Sequence, residues 1–305
     1  MKKTLQGIPL YHKAVIELII AGAIWGVSFT LVKWALKDFS TSTLMFWRFL
    51  LAVLLGESLM FLFNRDEYRQ SHSDLWTAMP AGITLGLTLI FQTHGLNYTT
   101  ATNSSFITTL YVVMIPLASF YFFKTRLQLI HIGLSLLAFV GMGLLLDIYH
   151  QNTELNFGDI LTLGSAVAAT FQILFVGIGA RKMKSAFRFN IFQTLWCWLT
   201  VMPFLIYEVS FKSVKIIPDH MSVASIGSII GLAIFVSLFA FYLQTKSQKT
   251  LSTTTASMLC LLEAPYSFIF ASVFLNERLT PIQFLGAGLI MLSSVISVYV
   301  ERPQN

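Results

Sequence analysis

Ionisable and amide side chains inside apolar runs are where this sequence can do chemistry. Glu263 lies near the centre of a run over 253–275, and Arg48 lies within another over 43–63. A charge in hydrocarbon costs about 2.5–3.5 kcal/mol on insertion scales and more by simulation, so such residues face a protein interior or a water-filled cavity. Glu263 has two readings: it binds a substrate amine or a coupling proton, or it makes a structural hydrogen bond at a helix break. Arg48 calls for a carboxylate or carbonyl partner and reads as structural. Glu17 and Glu57 lie nearer one end of their runs and read as side chains that snorkel to water.

Amides, hydroxyls and aromatics add stripes at helical spacing. Glu17, Ala21, Trp25 and Ser28 share one face, as do Thr84, Thr88 and Gln92, with His94 two residues beyond. Asn103 and Tyr111 lie eight apart; Thr162, Ser165, Ala169 and Gln172 form a further stripe, and Ser237 and Gln244 another. The candidate substrate-binding residues are Trp25, Ser28, Gln92, His94, Asn103, Tyr111, Gln172, Gln244 and Glu263. The competing reading makes the smaller polar residues contacts between helices, worth about 0.6–2 kcal/mol each. Pro116 and Pro265 each withdraw a backbone hydrogen bond, from the carbonyls of Val112 and Leu261, and mark hinge or structural positions alongside Arg48.

Other chemistries lack their residues. There are no paired aspartates on facing spans, no His-Glu metal motif and no Gly-Xaa-Ser-Xaa-Gly elbow. No catalytic residue, cofactor or metal is expected. Cys197 and Cys260 sit inside apolar runs as small buried hydrophobes. No phosphate-binding loop appears, so ATP is not the expected energy source.

The elements that position these side chains follow from composition. Of 305 residues, 55% are hydrophobic and 11% charged, against roughly 25% charged in a soluble domain. The excess falls in runs of about twenty residues, enough at 1.5 Å per residue to cross a hydrocarbon layer roughly 30 Å thick. The expected spans are 14–36, 43–63, 75–96, 103–123, 127–146, 157–180, 189–208, 223–245, 253–275 and 280–300. The fold class is therefore an all-α polytopic membrane protein of ten transmembrane helices. The first run is too long for the apolar core of a removable signal peptide, about 7–15 residues.

With the N-terminus inside, fourteen Lys and Arg fall on the inner side and five on the outer. Both termini are then cytoplasmic. The +6 net charge is explained by that loop asymmetry, and no nucleic-acid partner is expected.

The chain also reads twice. Thr99 to Ser105, Pro116, Arg126-Leu127 and Gly133 are answered by Leu251 to Ser257, Pro265, Arg278-Leu279 and Gly286. The halves are 1–149 and 150–305. Five spans per half is odd, so the second copy enters the membrane from the opposite side, giving two inverted five-helix repeats.

Several motifs carry a resemblance across nearly the whole chain. They are Trp25-Gly26-Val27-Ser28-Phe29, Arg48-Phe49, Leu96 to Ala101, Tyr111-Val112-Val113, Pro116-Leu117, Gly158-Asp159, Glu263-Ala264-Pro265 and Asn276-Glu277-Arg278-Leu279. Together they resemble the drug/metabolite transporter superfamily in its EamA-type bacterial branch. Two departures stand out: Lys124-Thr125-Arg126 lacks the acidic residue usual beside that arginine, and Ala264 separates a glutamate and a proline that are commonly adjacent. The resemblance implies a secondary transporter in the bacterial inner membrane, with cargo drawn from amino acids, nucleotide-linked metabolites, sugars or drugs. Amino acids or related metabolites are the first choice and protons a candidate coupling ion. A signalling receptor or a membrane-embedded enzyme is the alternative. Monomer or dimer stays open.

Overall fold

Several helices in this chain start at side chains that reach free backbone N–H groups. A computed structural model describes residues 2–95, 98–99, 101–124, 128–148, 156–275 and 280–301. Ser40 caps α2 (Thr41–Phe63) by accepting from the Thr43 N–H, and Asn64 does the same for the short α3 (Arg65–Gln70). Asn156 and Asp159 form a reciprocal capping box at the start of α8 (Phe157–Ala180). Ser185 caps α9 (Ala186–Lys212), and Asp74 adds a second device there. The Asp74 carboxylate accepts from the backbone N–H groups of Lys184 and Ser185 at 2.9–3.1 Å. Asp74 itself opens α4 (Asp74–Gly95), so that carboxylate ties the two halves together.

The remaining helices are α1 (Lys2–Ala35), α5 (Ala101–Thr108), α6 (Tyr111–Phe123), α7 (Leu129–Leu145), α10 (Val223–Gly231), α11 (Phe241–Ser247), α12 (Thr253–Cys260), α13 (Glu263–Leu275) and α14 (Pro281–Glu301). A π-helical segment, Leu232–Ala240, joins α10 to α11. Among the described residues seven helices are long and apolar enough to cross a membrane, and the shorter apolar stretches are Phe106–Phe122 and Leu129–Leu145. The fourth and ninth expected spans are broken, at Thr109-Leu110 and Leu261-Leu262. The fold is all-helical, as read from the sequence.

Apart from the short α3, which has no counterpart among the described residues, the two halves share one order of helices. Helices start at Ala101, Tyr111 and Leu129 in the first and, at one constant offset, at Thr253, Glu263 and Pro281 in the second. Helix pairing respects the same exchange. α1 packs on the α10–π–α11 span as α8 packs on α4, α1 on α12 and α13 as α8 packs on α5 and α6, while α2 meets α9 and α7 meets α14. Lipid offers apolar side chains as good a solvent as protein, so close backbone approach through small residues drives such contacts. At the α7–α14 crossing a Cβ on Gly141 would lie 2.9 Å from the Gly286 carbonyl oxygen, a space only glycine leaves open.

One core cluster draws on both halves, including Leu18, Val112 and Ala138 with Leu232, Met258 and Ile290. The outward faces carry exposed Phe63, Leu129, Phe211 and Tyr299, the arrangement lipid contact requires.

Candidate functional site

A cavity of about 530 Å³ opens where α1, α4 and α9 end and α2 begins, within the range of about 300–1,000 Å³ usual for small-molecule sites. Leu36, Phe39 and Phe204 give it apolar walls, and Ser40, Thr41, Thr93, His94, Glu208 and Lys212 supply polar groups. Glu208 accepts a hydrogen bond from the Ser42 hydroxyl, and the Lys212 ammonium lies 3.7 Å away, one turn along the same helix. The His94 ring meets Phe204 edge-on at 4.1 Å, with its Nε2 buried and without a hydrogen-bond partner. The cavity thus offers a carboxylate, an ammonium and an imidazole in one concave space.

The opposite end of the bundle carries two ion pairs. Lys246 on α11 donates to Glu17 on α1 at 2.6 Å, and Arg188 on α9 pairs with Glu57 on α2. The Arg188 guanidinium also lies 4.3 Å from the ring centres of Tyr68 and Phe192. The expectation that Glu17 and Glu57 simply snorkel is therefore corrected: each has a cation across a helix interface.

The other predicted site residues divide by depth. Trp25 is buried, tilted against Phe241 at 5.4 Å, and its Nε1 has no partner. Ser28 is occupied locally, donating to the Trp25 carbonyl at 2.7 Å. Gln92 donates to the Thr108 hydroxyl at 3.3 Å and so links α4 to α5. Gln172 and Gln244 are buried, each with an amide atom lacking a partner. The side chain of Asn103 lies outside the described residues.

Tyr111 and Glu263 occupy equivalent positions, each the first residue after its helix break. Tyr111 lies within electrostatic range of both Glu263 and Cys260. The breaks differ in their relation to proline. Pro265 follows Leu261-Leu262 closely, whereas α6 runs through Pro116 and the break precedes it at Thr109-Leu110. There the Thr109 hydroxyl bonds back to the Phe106 carbonyl at 2.6 Å, supplying the local competition that ends α5.

Arg48 is buried and donates to the Ser237 hydroxyl at 2.9 Å, with its guanidinium 5.0 Å from the Phe49 ring. Its partner is a hydroxyl, not the carboxylate or carbonyl expected. Ser237 belongs to the π segment, and Asn190 donates from α9 to the Ser237 and Leu238 carbonyls at 3.0 Å each.

Sequence reasoning missed Glu208, Lys212, Asn190 and Asp38 as functional or structural groups. The first two carry a legible signal, an acid and a base four residues apart at a span end. Asp38 has none. Outside the spans it accepts from the Ser225 hydroxyl at 2.6 Å and the Ser222 N–H at 2.8 Å. Those bonds to its charged form hold its carboxyl down at about 2.

The model of the EamA-like transporter family matches residues 12–146 and again 156–299. An uncharacterized transporter of Archaeoglobus fulgidus is 30% identical over 279 residues, covering 92% of this chain and 83% of that one. The uncharacterized transporter YetK of Bacillus subtilis is 21% identical over 294 residues, covering 95% and 88%. A solved crystal structure shares the fold with a TM-score of 0.74 at 16% identity, covering 95% of this chain and 97% of that one.

Proposed function

The chain belongs to the EamA-like transporter family, and from that premise we propose that it is a secondary active carrier of small organic metabolites working by alternating access. The observation that carries this reading is the contrast between the bundle's two ends. One holds a cavity of about 530 Å³, the usual size for a small-molecule site, and the other is closed by Glu17–Lys246 and Glu57–Arg188. Helix pairing that survives exchange of the halves supports the mechanism. If the second half is inverted, swapping the two halves' packings moves the opening from one face to the other.

The excess of Lys and Arg in alternate loops supports a reading with both termini in the cytoplasm and the cavity on the outer side, in keeping with a carrier of the bacterial inner membrane. Amino acids or close relatives remain the first choice of cargo, because Glu208 and Lys212 offer opposite charges within one cavity. Protons are the candidate coupling ion, with Glu263 at the second-half break as their carrier. Purified protein in proteoliposomes preloaded with one amino acid is expected to accumulate the radiolabelled form by counterflow. A channel or an enzyme gives no substrate-driven exchange, and absence of counterflow and of thermal stabilisation across an amino-acid library would overturn this choice of cargo.

A further inference from the structure

Buried polar atoms without partners gather along one seam. α11 packs against α8 and α9. On it and its C-cap lie Gln244 Oε1, Thr245 Oγ1, Ser247 Oγ and Gln248 Oε1, with Gln172 Nε2 on α8 and both amide atoms of Gln193 on α9, none of them hydrogen-bonded. Gln193 and Thr245 are fully buried. A buried group left unpaired costs about 1–3 kcal/mol, so a seam that served only to seal the bundle would carry alanine or leucine at these six positions.

The seam shares its helices with the two ion pairs. Glu17–Lys246 fastens α11 to α1, and Glu57–Arg188 fastens α9 to α2, at the end opposite the cavity. Its own ties are few: Gln248 donates to the Ile173 carbonyl at 3.1 Å, and Phe187 meets Tyr242 edge-on at 5.6 Å. The lock residue Lys246 and four of the six unpaired polar residues fall within about one turn at the end of α11.

We propose that this seam is the lining of a second vestibule, closed in the structure and opened when the two ion pairs part. It takes a hydrated, hydrogen-bonding solute. Amides and hydroxyls each offer a donor and an acceptor, so carboxylate, amine and hydroxyl groups are all accommodated. This deepens the carrier reading and rests on it, by naming where the cargo leaves the core on the cytoplasmic side.

The test is cysteine accessibility in a background with Cys197→Ala and Cys260→Ala. Single Thr245→Cys, Gln193→Cys and, at the cavity, Thr41→Cys variants are labelled with a membrane-impermeant maleimide from each side of the membrane. Adding Glu17→Gln and Glu57→Gln is expected to raise cytoplasmic labelling at positions 245 and 193 by at least about tenfold, the gain when a state of 10% or less becomes dominant. Labelling at position 41 from the outside falls in parallel. Gly56→Leu is the second route, because a Cβ there would already lie 2.7 Å from Ile191 Cγ1 across the α2–α9 contact and the larger side chain wedges it apart.

Unchanged labelling at 245 and 193 in variants that stay monodisperse overturns the proposal, as does a rise there with position 41 unaffected, which reads as local wetting. Labelling needs no cargo. Reciprocal labelling without counterflow therefore leaves the vestibule standing while the cargo assignment fails, and counterflow without reciprocal labelling does the reverse.

Discussion

Asp38 shows how a single carboxylate works outside the spans. It sits between α1 and α2 and caps the start of α10 through Ser222 and Ser225, which hold its carboxyl down at about 2. A depressed acid contributes stability that is present above its ordinary value and lost as pH falls through the lowered one. Asp38→Asn is expected to lower the unfolding temperature in detergent at neutral pH, with the gap to the parent narrowing as pH falls from 4 towards 2. A gap independent of pH would place the effect elsewhere. No sequence signal pointed to Asp38, since its partners lie more than 180 residues away. Glu263 and Arg48 were legible because charge within an apolar run is conspicuous without any knowledge of neighbours. The partner of Arg48 was not, because a serine on a distant span looks like any other.

Among the elements, the π segment is the clearest departure from regular helix. Its wider turn leaves carbonyls poorly served, and the Asn190 amide answers two of them. Asn190→Leu removes that donor, and a cost of about 1–3 kcal/mol is expected in chemical denaturation. A loss well below this would mean that the segment reverts to α-helix. At the α7–α14 crossing Gly141→Leu forces the helices apart, costing about 1–3 kcal/mol as overpacking does. The spans themselves could be read from hydropathy alone, because an apolar run of bilayer length has few other fates. The two breaks could not be placed as well. Proline marks the one at Leu261-Leu262, but Thr109-Leu110 depends on a hydroxyl whose choice of acceptor is decided only in the folded helix.

At the scale of the whole molecule, the repeat was visible in the spacing of small polar residues, prolines and arginines. Which helices touch was not, because lipid-facing and core-facing sides of an apolar span are equally hydrophobic. The end that carries the ion pairs illustrates this: Glu17, Glu57, Arg188 and Lys246 are each easy to find, but their pairing across α1–α11 and α2–α9 depends on how the halves dock. On the proposed carrier reading, breaking both pairs shifts the balance between the two openings, which predicts faster exchange if opening of that end limits turnover. Counterflow rates of the Glu17→Gln/Glu57→Gln variant check this, and a slower rate with intact folding would mean that closing, not opening, is the slow step.

Duplication has one further consequence at the equivalent positions Tyr111 and Glu263. The plan is written twice, yet the acid is written once: the first half carries a phenol where the second carries a carboxylate. If Glu263 carries the coupling ion, as proposed, coupling at this level has a ceiling of one cation or proton per turnover. The reversal potential of a zwitterion flux, measured against imposed pH and voltage gradients, reads that stoichiometry directly.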